Sequence, residues 1–161
     1  MEFIIIIYIL AAIINIISIQ REKFTVRLVS KICLMPSLSF FYIINSDNLS
    51  FFIIMAIVLS WWGDILLVNP GKAKLYAGIS CFLAAYILYI LEFVYLAVEI
   101  DILYKSIAGI LLVAGTVSFI VSDAVLAYFN LVKAMTKNPL TVVMSSYIIA
   151  QACIIIGYIY I

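Results

Sequence analysis

Long apolar stretches, separated by short polar clusters, constrain this chain more than any other feature. Residues 3–17 are interrupted only by Asn15, and residues 49–59 only by Ser50. Neither stretch has the in/out alternation that a barrel strand needs. Hydrophobic residues make up 68% of the 161 and charged residues 11%, with a mean hydropathy of +1.33. A soluble domain of this length has too little interior to hide so much apolar surface. Lipid is therefore the expected solvent. In hydrocarbon the backbone must close its own hydrogen bonds, and these runs do so as helices.

Crossing ~30 Å of hydrocarbon takes roughly 20 helical residues. The polar clusters then divide the chain into an all-α polytopic bundle of about six transmembrane helices: 2–19, 28–45, 49–68, 75–97, 102–130 and 140–160. Residues 1–161 form a single transmembrane helical domain on this reading. Asn45-Ser46-Asp47-Asn48 and Asn69-Pro70-Gly71-Lys72 are strong turn formers. Glu99 and Asp101 mark a short fourth connection. Met1-Glu2-Phe3 lacks the basic start of a cleavable signal, so the first apolar run is expected to stay as a membrane helix.

Charge placement tests the helix count, because Lys and Arg collect on the cytoplasmic side. Arg21, Lys23, Arg27 and Lys31 fall in or beside the first connection, Lys72 and Lys74 in the third, Lys133 and Lys137 in the fifth. Of the nine cations only Lys105 falls on the other face. Both termini are thus expected on the non-cytoplasmic side of a multi-pass integral membrane protein, of the cell membrane if bacterial. The net charge of +1 points to no nucleic-acid partner.

Within these helices two aspartates stand out, Asp64 and Asp123. An ionised carboxylate near mid-bilayer costs on the order of 3 kcal/mol or more. By helix rise, Asp64 lies roughly 6 Å and Asp123 roughly 10 Å from the same end of the bundle. The two are expected to meet in one cavity in one leaflet. Burial and proximity together predict that such a pair holds one proton near neutral pH.

Other polar residues accompany them. Ser60 is four residues before Asp64 and shares its helix face, while Ser122 adjoins Asp123 and Ser118 lies one turn before Ser122. Tyr147 and Gln151 are one turn apart, and Tyr86 and Tyr89 lie in the fourth helix. Lys31 and Lys72 are expected at the cytoplasmic boundary, where each suits a lipid phosphate. Gly63 and Gly115 remove bulk where a helix or ligand approaches. The plainer alternatives are serines bonding back one turn, Trp61 and Trp62 as interfacial anchors, Asn15 bonding between helices and Glu92 reaching the opposite interface.

No histidine is present, which removes His-based triads and His-ligated metal. Cys33, Cys81 and Cys153 form no metal or disulfide pattern and read as packing residues. No metal and no cofactor are expected.

The segment Ser60-Trp61-Trp62-Gly63-Asp64-Ile65-Leu66-Leu67, followed by Leu75-Tyr76-Ala77-Gly78-Ile79-Ser80-Cys81-Phe82-Leu83 and Tyr89, resembles the YhhN/lysoplasmalogenase family. Val121-Ser122-Asp123-Ala124-Val125-Leu126-Ala127 resembles its Ser-Asp segment, and Ser146-Tyr147-Ile148-Ile149-Ala150-Gln151 its last-helix Tyr and Ala-Gln. The family typically has about eight membrane helices, so the shortfall here lies between Tyr89 and the Ser-Asp segment. Tyr86 stands where the family carries a histidine.

The resemblance implies hydrolysis of the vinyl ether of a lysoplasmalogen to a fatty aldehyde and a glycerophospho-base. The partners would then be the bilayer and a lysophospholipid with a vinyl ether chain. Protonating the β-carbon leaves an oxocarbenium ion for water to trap, work that two carboxyls can divide. Asp64 and Asp123 are the expected catalytic pair, with either one as the acid. Ser60, Tyr86, Tyr89, Ser122, Tyr147, Gln151, Lys31 and Lys72 are the expected substrate-binding residues. A small-solute or proton-coupled carrier and a non-catalytic lipid-binding relative stand as alternatives, since intramembrane carboxylates also serve proton relays. The sequence leaves the oligomeric state open.

Overall fold

A computed structural model describes residues 2–68, 71–100, 107–132 and 137–160. These residues form six helices: α1 (Glu2–Gln20), α2 (Phe24–Asn45), α3 (Phe51–Leu67), α4 (Lys72–Ile100), α5 (Ile107–Val132) and α6 (Lys137–Ile159). No strand occurs among the described residues. Five of the helices are long and apolar enough to cross a membrane, as befits a multi-pass membrane protein. The exception, α3, has 17 residues and spans roughly 25 Å.

Several expected boundaries move outward. α2 starts at Phe24, so Arg27 belongs to the helix and not to a connection. α4 begins at Lys72 and runs through Glu99 to Ile100, absorbing the residues expected to bracket it. Charge near a helix end does not stop the helix, because long side chains reach out while the backbone stays bonded. Asp101, Lys105 and Lys133, and the side chains of Lys72, Glu99 and Lys137, lie outside the described residues.

Three hairpins, α1–α2, α3–α4 and α5–α6, supply most of the packing. The first closes tightly. Lys23 N–H bonds back to the Ser18 carbonyl at 3.0 Å, and Glu22 takes a left-handed φ of 54°. Further contacts join α2 to α3, α1 to α6 and α2 to α6, whereas α4 and α5 barely touch along their backbones. The result is a ring of helices with one loose seam. Tyr8 strengthens the opposite side, donating to the Ile148 carbonyl at 2.7 Å.

Glycine sets how closely two of the hairpins pack. A β-carbon on Gly115 would lie 3.0 Å from the Ala150 carbonyl oxygen and 2.9 Å from Ile154. One on Gly63 would lie 3.1 Å from the Phe82 ring. Both positions fulfil the close approach expected of them.

Pro36, in the middle of α2, has no N–H for the Ile32 carbonyl one turn earlier. That carbonyl instead accepts from the Trp61 indole of α3 at 3.0 Å. Trp61 is therefore a rung between helices and not an interfacial anchor, while Trp62 is 52% exposed. Trp61→Phe should destabilise the protein by about 1–2 kcal/mol, since it strands a carbonyl in a dry setting. In a Pro36→Ala background, where the helix supplies its own donor, the same change should cost measurably less. Reversible unfolding of the four proteins in detergent checks this coupling.

Candidate functional site

Lys31 lies two turns into α2, and Asp64 one turn before the end of α3. Antiparallel packing sets them at the same level. The Lys31 Nζ is 2.9 Å from Asp64 Oδ1, with the two side chains only 3% and 1% exposed. From α6, Tyr147 donates to Asp64 Oδ2 at 2.8 Å. Both oxygens of Asp64 are thus occupied. The ammonium also lies 5.9 Å from the centre of the Tyr147 ring, within range of cation–π attraction. The expectation that Lys31 sits at the membrane boundary is corrected: its charge is buried and answers Asp64.

Asp123, on α5, is only partly buried. Tyr86 of α4 donates to its Oδ2 at 2.7 Å, and nothing among the described residues bonds Oδ1. The two aspartates come together as expected. Both line one narrow gap, with Lys31, Phe82, Met144 and Tyr147, too tight to hold a water-sized sphere. An aromatic cluster walls it. Phe119 packs against Tyr86 with ring centres 4.4 Å apart and against Tyr147 at 5.2 Å. Phe82 meets Phe119 edge-on at 5.8 Å.

On its other side Asp123 borders an open groove of about 530 Å³ along the loose α4–α5 seam. Leu75, Ile79, Leu83, Ile87, Ile120 and Ala127 make its walls almost wholly apolar. Leu83 and Ile87 are more than half exposed, so the groove opens on the outer surface of the bundle. In a bilayer that surface meets lipid.

The remaining expected site residues separate from this centre. Tyr89, buried at 1% exposure, donates to Gln151 Oε1 at 3.3 Å, and Tyr158 donates to the Tyr89 carbonyl at 2.6 Å. Ser60 is fully buried beside Tyr89. These form a second polar layer, and none of Ser60, Tyr89 and Gln151 lines the gap or the groove. Ser122 bonds back to the Phe119 carbonyl at 2.8 Å, the plainer role weighed for it. Asn15 bonds across to the Arg27 carbonyl and Ser30 of α2. Lys72 opens α4. Sequence reasoning gave Phe82 no role at the site, although it stands within the Gly78-to-Leu83 motif.

Compared with known families, the chain matches the model described as the YhhN family over residues 26–103 and 94–158. The two segments overlap at residues 94–103. No curated protein and no solved structure matches the chain.

The buried pair makes its own prediction. Removing one partner leaves an uncompensated charge in a dry site, which costs about 3–5 kcal/mol. Lys31→Met and Asp64→Asn should each lower the unfolding midpoint strongly. The double variant should be more stable than the sum of the two losses implies. A double-mutant cycle on purified protein measures that coupling.

Proposed function

The chain belongs to the YhhN family, and from that premise we propose that it is an alkenyl ether hydrolase. It would cleave the vinyl ether of lysoplasmalogens to a fatty aldehyde and a glycerophospho-base. The observation that carries this reading is Asp123: a carboxyl with one oxygen unbonded among the described residues, set where an apolar groove meets a buried charged cluster. The groove suits an alkenyl chain, and its volume lies within the ~300–1,000 Å³ range of small-molecule sites.

The geometry favours a division of labour that the sequence left open. Asp64 is committed to Lys31 and Tyr147, so its role is a fixed anion. Asp123, held among the described residues by Tyr86 alone, is the carboxyl able to touch a substrate. In its protonated form it delivers a proton to the β-carbon as the C=C π bond breaks. The α-carbon and the ether oxygen then share the positive charge. The Asp123 carboxylate left behind and the Asp64 anion stabilise that cation, as carboxylates do around the oxocarbenium-like state of glycosidases. Water adds to the α-carbon and returns a proton to Asp123. The hemiacetal then collapses, its hydroxyl proton passing to the departing glycerol oxygen, and the aldehyde is released.

Tyr86 orients Asp123, and Tyr147 fixes the Asp64 carboxylate beside it. Lys31, already paired, contributes to the field of the site and does not serve as a free phosphate ligand. Lys72 at the mouth of α4 is the remaining candidate for the phosphate. The lipid substrate and the bilayer are the partners this reading requires.

Aldehyde release from defined lysoplasmalogens in detergent or nanodiscs tests the proposal. Asp123→Asn should lower the rate by about 10²-fold or more, the usual loss when a general acid is removed. Tyr86→Phe should lower it less, and ester lysolipids should not be cleaved. Wild-type rates from Asp123→Asn would overturn the assignment. Lipid bound but left intact by the wild-type protein would favour the non-catalytic relative, and solute flux without lipid turnover the carrier.

A further inference from the structure

A second cavity, of about 550 Å³, lies at the end of the bundle that carries the α2–α3 turn. It is separate from the Asp64–Asp123 centre and shares no lining residue with it. Asp47 of the turn and Glu92 of α4 bring two carboxylates to it, and Tyr42, Tyr95 and Tyr158 line the same space. Neither Lys nor Arg lines it among the described residues.

Glu92 is the informative residue. Its side chain is only 7% exposed, yet no hydrogen bond or ion pair among the described residues answers its carboxylate. What is exposed of it lines this cavity, where no positive charge meets it among the described residues. Asp47, at the cavity wall, adds charge of the same sign where repulsion disfavours it. Both features are relieved together if the cavity takes up a cation.

The walls indicate what kind. A metal ion would need close convergence of several oxygens, and no group of three or more His, Cys, Asp or Glu is placed to hold one among the described residues. The cavity is also far larger than an ion. Tyrosine rings with a carboxylate are the surroundings that favour an organic ammonium, through cation–π attraction on one side and charge on the other. We infer that this cavity binds an alkylammonium group, either a free amine or the headgroup of a lipid, through Glu92 and Asp47 with Tyr42, Tyr95 and Tyr158 as its aromatic walls.

Calorimetric titration of the purified protein with choline chloride, in a maltoside detergent, tests this. Wild-type protein should bind saturably, and sodium chloride at equal concentration should give no such signal. Glu92→Gln should weaken binding on the order of tenfold, the loss of one charge-assisted contact, and Asp47→Asn by a smaller factor. Should Glu92→Gln fail to fold, the exposed Asp47 position still decides the matter. The source is separated in nanodiscs. Choline binding suppressed by phosphatidylcholine but not by phosphatidylglycerol identifies a lipid headgroup, and binding retained in both identifies a soluble amine. No saturable choline binding, binding unchanged in both variants, or saturation by calcium chloride in place of choline would each overturn the inference.

Discussion

The Lys31–Asp64 ion pair organises this molecule. Two full charges sit beneath a bundle surface made largely of isoleucine, leucine and phenylalanine, and neither reaches water. Such a pair is tolerable only if geometry is good and the spare hydrogen-bonding capacity is used. Tyr147 meets that need from a third helix. The register of α2, α3 and α6 is thereby tied to a single point, since a shift of one residue in any of them would leave a charge unanswered. Hydrophobic packing alone specifies register weakly among helices that are apolar on every side.

Around this point the polar groups fall into layers with different assignments. The lower layer joins Asp64 to Asp123 through an aromatic wall. The next, Tyr89 with Gln151 and Tyr158, spends its hydrogen bonds inside the bundle. The outermost surrounds Glu92. Trp61 does comparable work at the α2–α3 contact, where a proline in one helix creates the acceptor that a tryptophan in the other satisfies. Polar residues here act as connectors because every unmet donor or acceptor in hydrocarbon is expensive.

The six helices were legible in the sequence because lipid demands continuous apolar runs, and those runs have visible ends. Their exact limits were not. Arg27 and Glu99 looked like connections, yet charged side chains are compatible with helix in the end turns. The two aspartates were legible as a pair from depth alone. Lys31 as the partner of Asp64 was not, since nothing in a linear sequence distinguishes a boundary lysine from one whose helix turns it inward. The groove escaped for a related reason: it exists because α4 and α5 pack loosely, a property of neither helix by itself. Ser60 and Gln151 were grouped with the site on helical spacing and Tyr89 on the family resemblance; spacing reports the face of a helix but not which layer of neighbours that face meets.

The loose α4–α5 seam also fixes how this centre meets its surroundings. Its opening is on the flank of the bundle and not at an aqueous mouth. On the proposed reading, a lipid that enters arrives by sliding within a leaflet, with its tail never leaving hydrocarbon. The concentration that governs occupancy is then a surface density, the mole fraction of a lipid among its neighbours, and dilution by other lipids competes as effectively as any inhibitor dissolved in water.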